Sequence, residues 1–355
     1  MTAVIASRSR GVGMMKRQRV LVLVHKHLVP PDDLTGIDVV HAEWKTEVDV
    51  ISTLRENGHE VKPLGIQDEL NPIRLAMEEW KPTIVFNLLE AFDNVNLFDQ
   101  NVVSYLELLR VPYTGCNPRG LLLSRDKSLS KKLMAYHRIP VPDFSVFRRG
   151  RKVLVPPRLK FPLIVKSLTQ ESSIGISQAS VVGDEEKLRK RVEFIHESVG
   201  THAIAERYID GRELYVGVMG NERLQVFPVW EMHFKKMVEG DNWPIATERV
   251  KWSTKYQEKH GIATDKAQAL PEGFEQAVGK MAKRVYRALE LTGYARIDLR
   301  MDSDGKPYVL EANPNPQIAY GEDFAESAEH SGMKYEDLLD RILALGLQWR
   351  PERVA

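Results

Sequence analysis

Apolar positions fall along the chain in two alternating patterns. From Val20 to Val24 five apolar residues run without interruption, as in a strand buried on both faces of a parallel sheet. A helical stretch follows with Val48, Ile51 and Leu54 on one side, and Asn57-Gly58 supplies its C-terminal stop. Then come a short strand near residues 60–64, a helix around 72–80 and a second buried strand at 83–88. This β-α-β-α-β rhythm predicts a doubly wound parallel first domain over residues 17–120. The segment has no G-x-G-x-x-G after a strand and no G-x-x-x-x-G-K-[ST], the two commonest dinucleotide and phosphate loops.

Beyond residue 120 the pattern changes. Residues 121–137 predict a helix, closed by Ile139-Pro140-Val141-Pro142. Short strands follow at 163–167, 177–182, 203–209 and 213–219. A helix over 184–198 keeps Leu188, Val192, Ile195 and Val199 on one face. The spacing predicts a small α+β unit over 121–208 and a second α+β unit over 209–350. Within the latter, a polar stretch, 231–271, is expected to be irregular and leads into a helix at 274–289.

The last two strands alternate strictly. Arg296, Asp298 and Arg300 share one face of the first; Val309, Glu311 and Asn313 share one face of the second. Asp302-Ser303-Asp304-Gly305 between them is a turn signal. A two-residue turn would set Arg296 across from Glu311, with Asp298 on the diagonal about 7–8 Å away. Asp298, Glu311 and Asn313 then form an all-oxygen cluster suited to Mg²⁺ bridging nucleotide phosphates, with Arg296 as a fixed positive charge beside it. A solvent-facing hairpin whose charges pair across strands has the same signature.

Composition narrows the function classes. Lys and Arg number 50 against 49 Asp and Glu, so no basic excess marks nucleic acid or an anionic membrane as a partner. The single cysteine, Cys116, excludes an internal disulfide and a Cys-rich zinc site. A reducing, cytoplasmic setting is expected. No apolar run approaches the roughly 18–20 residues of a membrane span. Residues 1–16 read as a disordered basic arm; a signal peptide would place its charge first.

Several segments, in order, resemble D-alanine–D-alanine ligases and their ATP-grasp relatives. Arg296-Ile-Asp298, the Asp-Ser-Asp-Gly turn and Glu311-Ala-Asn313-Pro-Asn-Pro316 resemble that family's metal-binding hairpin. Pro112-Tyr113-Thr114-Gly115 with Asp126-Lys127 is similar to its "PYTG … DK" segment, and Phe161-Pro-Leu-Ile-Val-Lys166 to its lysine-ended strand. Gln170-Glu171-Ser172-Ser173-Ile174-Gly175 takes the place of the phosphate-covering loop, with Glu171 where the family has glycine. Ala205-Glu206-Arg207-Tyr208-Ile209 and Gly211-Arg212-Glu213 resemble the nucleoside hinge, and Lys255-Tyr256 the mobile lid.

The resemblance implies an ATP-grasp fold: a parallel first domain, a small central α+β domain and a C-terminal α+β domain carrying the hairpin. It implies an ATP-dependent ligase that joins a carboxylate, an amino acid by expectation, to an amine through an acyl-phosphate. Asp298, Glu311 and Asn313 would hold two Mg²⁺ ions, with Mn²⁺ as an alternative. Lys127, Lys166, Ser172 and Ser173 would meet the phosphates. Glu206, Tyr208 and Ile209 would meet the base, and Glu213 the ribose. Arg296, Lys255, Tyr256 and Gln317 would serve the reaction itself. A homodimer through the first domain is the default by the same resemblance.

Two departures bear on the substrates. The serine- and glutamate-bearing loop after the first strand is not recognisable, and Glu47-Val48 matches it only superficially, inside a predicted helix. Gln317 stands where the family favours glycine, which points to a reshaped acceptor pocket. Another amino acid, a dipeptide or a small carboxylate with an amine acceptor is therefore expected in place of D-alanyl-D-alanine. An ATP-grasp phosphotransferase and a nucleotide-binding regulatory protein without turnover are the alternatives.

Overall fold

The structure is a computed structural model describing residues 15–170, 173–234, 243–247, 250 and 254–350. β1 (Arg19–His25), β2 (Glu60–Ile66) and β3 (Ile84–Asn87) form a parallel sheet in the order β2-β1-β3. The unbroken apolar run of β1 has its reason in the packing on its two faces. Val20, Val22 and Val24 meet Val50, Ile51 and Leu54 of the helix Lys45–Glu56, together with Leu338, Leu339 and Ile342 of the last helix, Tyr335–Gly346. Leu21 and Leu23 join Ile73, Val102, Val103 and Leu106 on the opposite face.

A second, antiparallel sheet has the order β4-β7-β5-β6. It comprises β4 (Phe144–Phe147), β5 (Leu163–Ser167), β6 (Val181–Val182) and β7 (Ala203–Arg207). Leu188 and Val192 of the helix Glu185–Phe194 pack on its Leu163, Val165 and Ala205. The third sheet, also antiparallel, has the order β10-β9-β8-β11-β12. Its strands are β8 (Arg212–Met219), β9 (Gln225–Phe234), β10 (Ile262–Lys266), β11 (Tyr294–Met301) and β12 (Pro307–Pro314). The helix Phe274–Ala288 lays Val278, Ala282 and Val285 on Leu214, Val216 and Val218.

The structure departs from the sequence expectations at five places. The helix expected over 121–137 is two helices, Pro118–Arg125 and Lys127–Tyr136. Asp126 leaves helical geometry between them, and its carboxylate accepts from the N–H groups of Ser128 and Leu129, an N-cap bond that starts the second helix. The strand expected at 177–182 shrinks to Val181–Val182, because Ser177 and Ser180 close a capping box around a short 3-10 turn. The stretch 231–271 is not irregular throughout: β9 runs through it to Phe234, and the helix Thr254–His260 and β10 follow.

The hairpin register also differs. The turn is longer than two residues, since Met301 pairs with Pro307, and a bulge falls between Asp298 and Leu299. Asp298 therefore lies directly across from Glu311, and Arg296 across from Asn313. The extra residue, Leu310, also returns Val309 to the core beside Ala312, so Val309 does not share the face of Glu311.

Gly211 closes the turn into β8 with φ at 143°, and a Cβ there would stand 1.9 Å from the carbonyl oxygen of Met301. Gly211→Ala is expected to cost more than about 2 kcal/mol. A thermal melt reads this directly; an unchanged midpoint would show that the turn can relax.

Candidate active site

The second and third sheets face each other across a cleft of about 790 Å³. The sequence assigned functional roles to residues from five separate segments, and nine of them line this cleft: Lys127, Lys166, Ser173, Glu206, Tyr208, Ile209, Glu213, Asp298 and Glu311. Ser172 and Glu171 lie outside the described residues. Ser173 has a positive φ of 61° and donates its hydroxyl to the carbonyl of Ala246.

At the centre of one wall stands Glu206, fully buried on β7. Lys166, at the end of the apolar β5, reaches to 3.5 Å of its Oε2. Lys131 comes within 3.3 Å of the same oxygen and donates to the carbonyl of Leu310 at 2.6 Å. Two ammonium groups so near hold the Glu206 carboxyl below its usual range, although burial alone would raise it. Lys166 stays above its ordinary value because Glu206, Glu311 and Glu213 together outweigh its own burial. Burial pulls Lys131 and Lys127 down. The second oxygen of Glu206, Oε1, is buried without a hydrogen-bond partner. A buried acceptor of this kind suits an N–H donor of a ligand, such as the amino group of adenine.

Lys127 opens the helix Lys127–Tyr136, where the Asp126 cap fixes it. Its ammonium donates to the Gln170 carbonyl at 2.7 Å and lies 3.8 Å from Glu311. Lys131 is one turn further on the same face; it is fully buried, and its amine supports Glu206 from behind the cleft lining. The sequence reading missed Lys131. Its four-residue spacing from Lys127 was the available signal, but a helical lysine more often faces solvent.

Arg300 was also missed. It donates to the carbonyls of Gly211 and Pro244 and lies 5.0 Å from the ring centre of Tyr208, fixing that end of the cleft. Glu213 accepts from the hydroxyl of Tyr215 at 3.0 Å.

Arg296 and Asn313 lie one strand position beyond the cleft lining. Arg296 grips both oxygens of Asp298, at 2.8 and 3.0 Å, lies 3.7 Å from Asp323, and covers the ring of Tyr215 at 4.5 Å. Asn313 has a buried side-chain nitrogen without a partner. Lys255 and Tyr256 do not line the cleft. Lys255 is exposed, while Tyr256 stacks on His260 at 4.2 Å and packs beside Tyr215 and Trp230. Gln317 is exposed and donates to Thr46 at 3.3 Å, away from the cleft lining.

Among the described residues no group of three or more His, Cys, Asp or Glu side chains is placed to hold a metal. The pair Asp298–Glu311, with Asn313 beside it, fits an ion that takes one or two carboxylates and completes its shell with phosphate oxygens and water.

A doubly wound sheet joined to two antiparallel sheets that clasp a lysine- and carboxylate-lined cleft defines an ATP-dependent ligase of the ATP-grasp class. The family described as D-ala D-ala ligase C-terminus matches residues 133–344, and the chain belongs to it. It is 32% identical to the D-alanine–D-alanine ligase of Desulfotalea psychrophila, over 78% of this chain and 81% of that one. It is 30% identical to the uncharacterized protein y4sG of Sinorhizobium fredii, over 83% and 85% of the two chains. In fold it is similar to a D-alanine–D-alanine ligase from Bacillus anthracis complexed with ATP, with a TM-score of 0.70, 23% identity and coverage of 93% and 98%. The VanG D-Ala:D-Ser ligase of Enterococcus faecalis gives a TM-score of 0.67 at 18% identity, covering 93% and 100%. The chain is thus an ATP-dependent ligase that forms amide bonds. No described helix is long and apolar enough to cross a membrane.

Lys131→Met leaves Glu206 with one counter-ion instead of two, and is expected to destabilise the fold by about 3 kcal/mol, read as a lower melting temperature. Glu206→Ala should weaken ATP binding about tenfold in calorimetric titration, through loss of an acceptor for the base. Unchanged ATP affinity in that variant would move the adenine elsewhere.

Proposed function

We propose that the chain activates a small carboxylate as its acyl-phosphate and transfers the acyl group to an amine. The observation that carries this reading is the direct pairing of Asp298 with Glu311 across the hairpin, with Lys127 3.8 Å from Glu311 and Glu206 and Glu213 further along the same cleft. Base and ribose would lie between Tyr208, Ile209, Glu206 and Glu213, which directs the phosphates toward Lys127, Lys166 and the carboxylate pair.

An oxygen of the substrate carboxylate attacks the γ-phosphorus, the bond to ADP breaks, and the mixed anhydride forms. A neutral amine then attacks the carbonyl carbon; phosphate leaves and the nitrogen loses a proton. Magnesium held by Asp298, Glu311 and Asn313, as two ions or one, would supply charge neutralisation at the phosphates. Lys127 and Lys166 add fixed positive charge, and Arg296, clamped by Asp298, presents a guanidinium next to the reacting groups. Lys255 and Tyr256, on the helix Thr254–His260, are the lid residues in this reading. Gln317, at the outer edge, would border the acceptor.

The relatives differ in the acceptor: one is named for D-Ala:D-Ser and others for D-alanine–D-alanine ligation. A changed acceptor here is consistent with Gln317. A dimer through the first domain belongs to the same proposal.

Phosphate release from Mg·ATP, screened over D- and L-amino acids and simple amines, tests the reading. Release that depends on one carboxylate–amine pair supports it; release with no amine requirement favours a phosphotransferase. Glu311→Gln should lower turnover at least about a hundredfold while leaving the melting temperature in place. Near-normal turnover would remove Glu311 from the phosphate end of the site.

A further inference from the structure

Arg296 is shared between two carboxylates that approach it from different elements. Its Nε and Nη2 donate to the two oxygens of Asp298, two positions further along β11, at 2.8 and 3.0 Å. Its Nη1 lies 3.7 Å from Oδ2 of Asp323, the first residue of the helix Asp323–His330. The guanidinium rests on the ring of Tyr215, 4.5 Å from the ring centre, and this contact holds whichever carboxylate the cation favours. The side chains of Asp298 and Asp323 are only 6% and 17% exposed, so a charge left unpaired among them would be costly.

The place of Asp323 is set by the residues on either side of it. Phe324 is buried against Phe227 and Tyr294, with ring centres 5.3 and 5.5 Å away. The loop ahead of the helix is tied to the helix Lys45–Glu56, where Lys45 donates to the carbonyl of Tyr320 and Asp49 accepts from the N–H of Tyr320 at 2.9 Å. A guanidinium movement of about 1 Å would turn the longer approach to Asp323 into a charge-assisted hydrogen bond of ordinary length. The grip on Asp298, by contrast, uses lone pairs that a divalent cation would need, and cation and guanidinium repel each other at that distance. An acid in the first turn also complements the helix dipole, but that role needs no guanidinium.

We propose that Asp323 is a positioning residue that takes Arg296 over from Asp298. As Asp298 turns its oxygens to a divalent cation, the guanidinium pivots on Tyr215 toward Asp323 and keeps a carboxylate partner throughout. Without Asp323 the guanidinium would stay on Asp298 and compete with the cation for it. Cation binding at the hairpin and the placing of Arg296 next to the reacting groups are then one event. The inference rests on the reading of Asp298 and Glu311 as the metal-holding pair, and adds to it the residue that frees Asp298.

Titration of the full chain with Mn²⁺ alone, read from the free-ion signal in electron paramagnetic resonance, tests this without turnover. Asp323→Asn is expected to weaken Mn²⁺ binding about tenfold, and Arg296→Gln to tighten it, because the competitor for Asp298 is gone. In the double variant Asp323→Asn should have almost no further effect, since no guanidinium remains to be moved. Asp323→Glu, which keeps a carboxylate within reach, should restore most of the affinity. Asp323→Ser makes the same comparison if the asparagine variant does not fold. A loss equally large with and without Arg296 would mean that Asp323 acts on the cation by its charge alone, and overturns the proposal. Unchanged Mn²⁺ affinity in Asp323→Asn, the result of a purely helix-terminal role, overturns it too. Mn²⁺ binding lost in Glu311→Gln but uncoupled between Arg296 and Asp323 removes only the handover. No Mn²⁺ binding, or binding that Glu311→Gln leaves untouched, removes the metal-holding pair and the handover with it.

Discussion

One buried carboxylate organises the cleft between the two antiparallel sheets. Glu206 sits where water cannot reach it, and an isolated charge there would cost several kcal/mol. Lys166 approaches from the neighbouring strand and Lys131 from a helix. Because Lys131 also donates to the carbonyl of Leu310, the same contact ties the second sheet to the bulge of β12. The bulge in turn determines that Glu311 faces Asp298 and Lys127. A chain of polar contacts thus runs from Glu206 to the carboxylate pair of the hairpin.

The rigid and adjustable parts of the site divide accordingly. Lysines, glutamates and the hairpin are held by buried partners on strands or capped helices. Gln317 and Lys255 are exposed, and Tyr256 packs on His260 outside the cleft lining.

Much of the architecture was legible because periodicity reports burial. The continuous run in β1 requires two covered faces, which it has; the alternation in β11 implies one, yet Asp298 and Arg300 on its polar face are buried as well. The bulge was not legible: Leu310 is as apolar as the Val309 before it, and nothing in the residue types says that one position is left unpaired. Most of the candidate nucleotide residues could be named from ordered motifs, yet Lys131 and Arg300 could not, since their roles come from partners distant in sequence. The burial of Glu47, noted in the sequence only as a superficial motif match, was not legible either. On a helix it reads as an ordinary polar position, and only the packed structure shows it buried with an unpartnered oxygen.

The last helix, Tyr335–Gly346, covers one face of the first sheet. Some 310 positions separate it from the end of β1 at His25 (335 − 25 = 310). At translation rates of about 5–20 residues per second, β1 waits on the order of 15–60 seconds for the surface that completes its core. The parallel domain is therefore not a module that finishes folding as it emerges. Its valines remain open to other partners until the chain's far end arrives, after every strand of both antiparallel sheets has been synthesised.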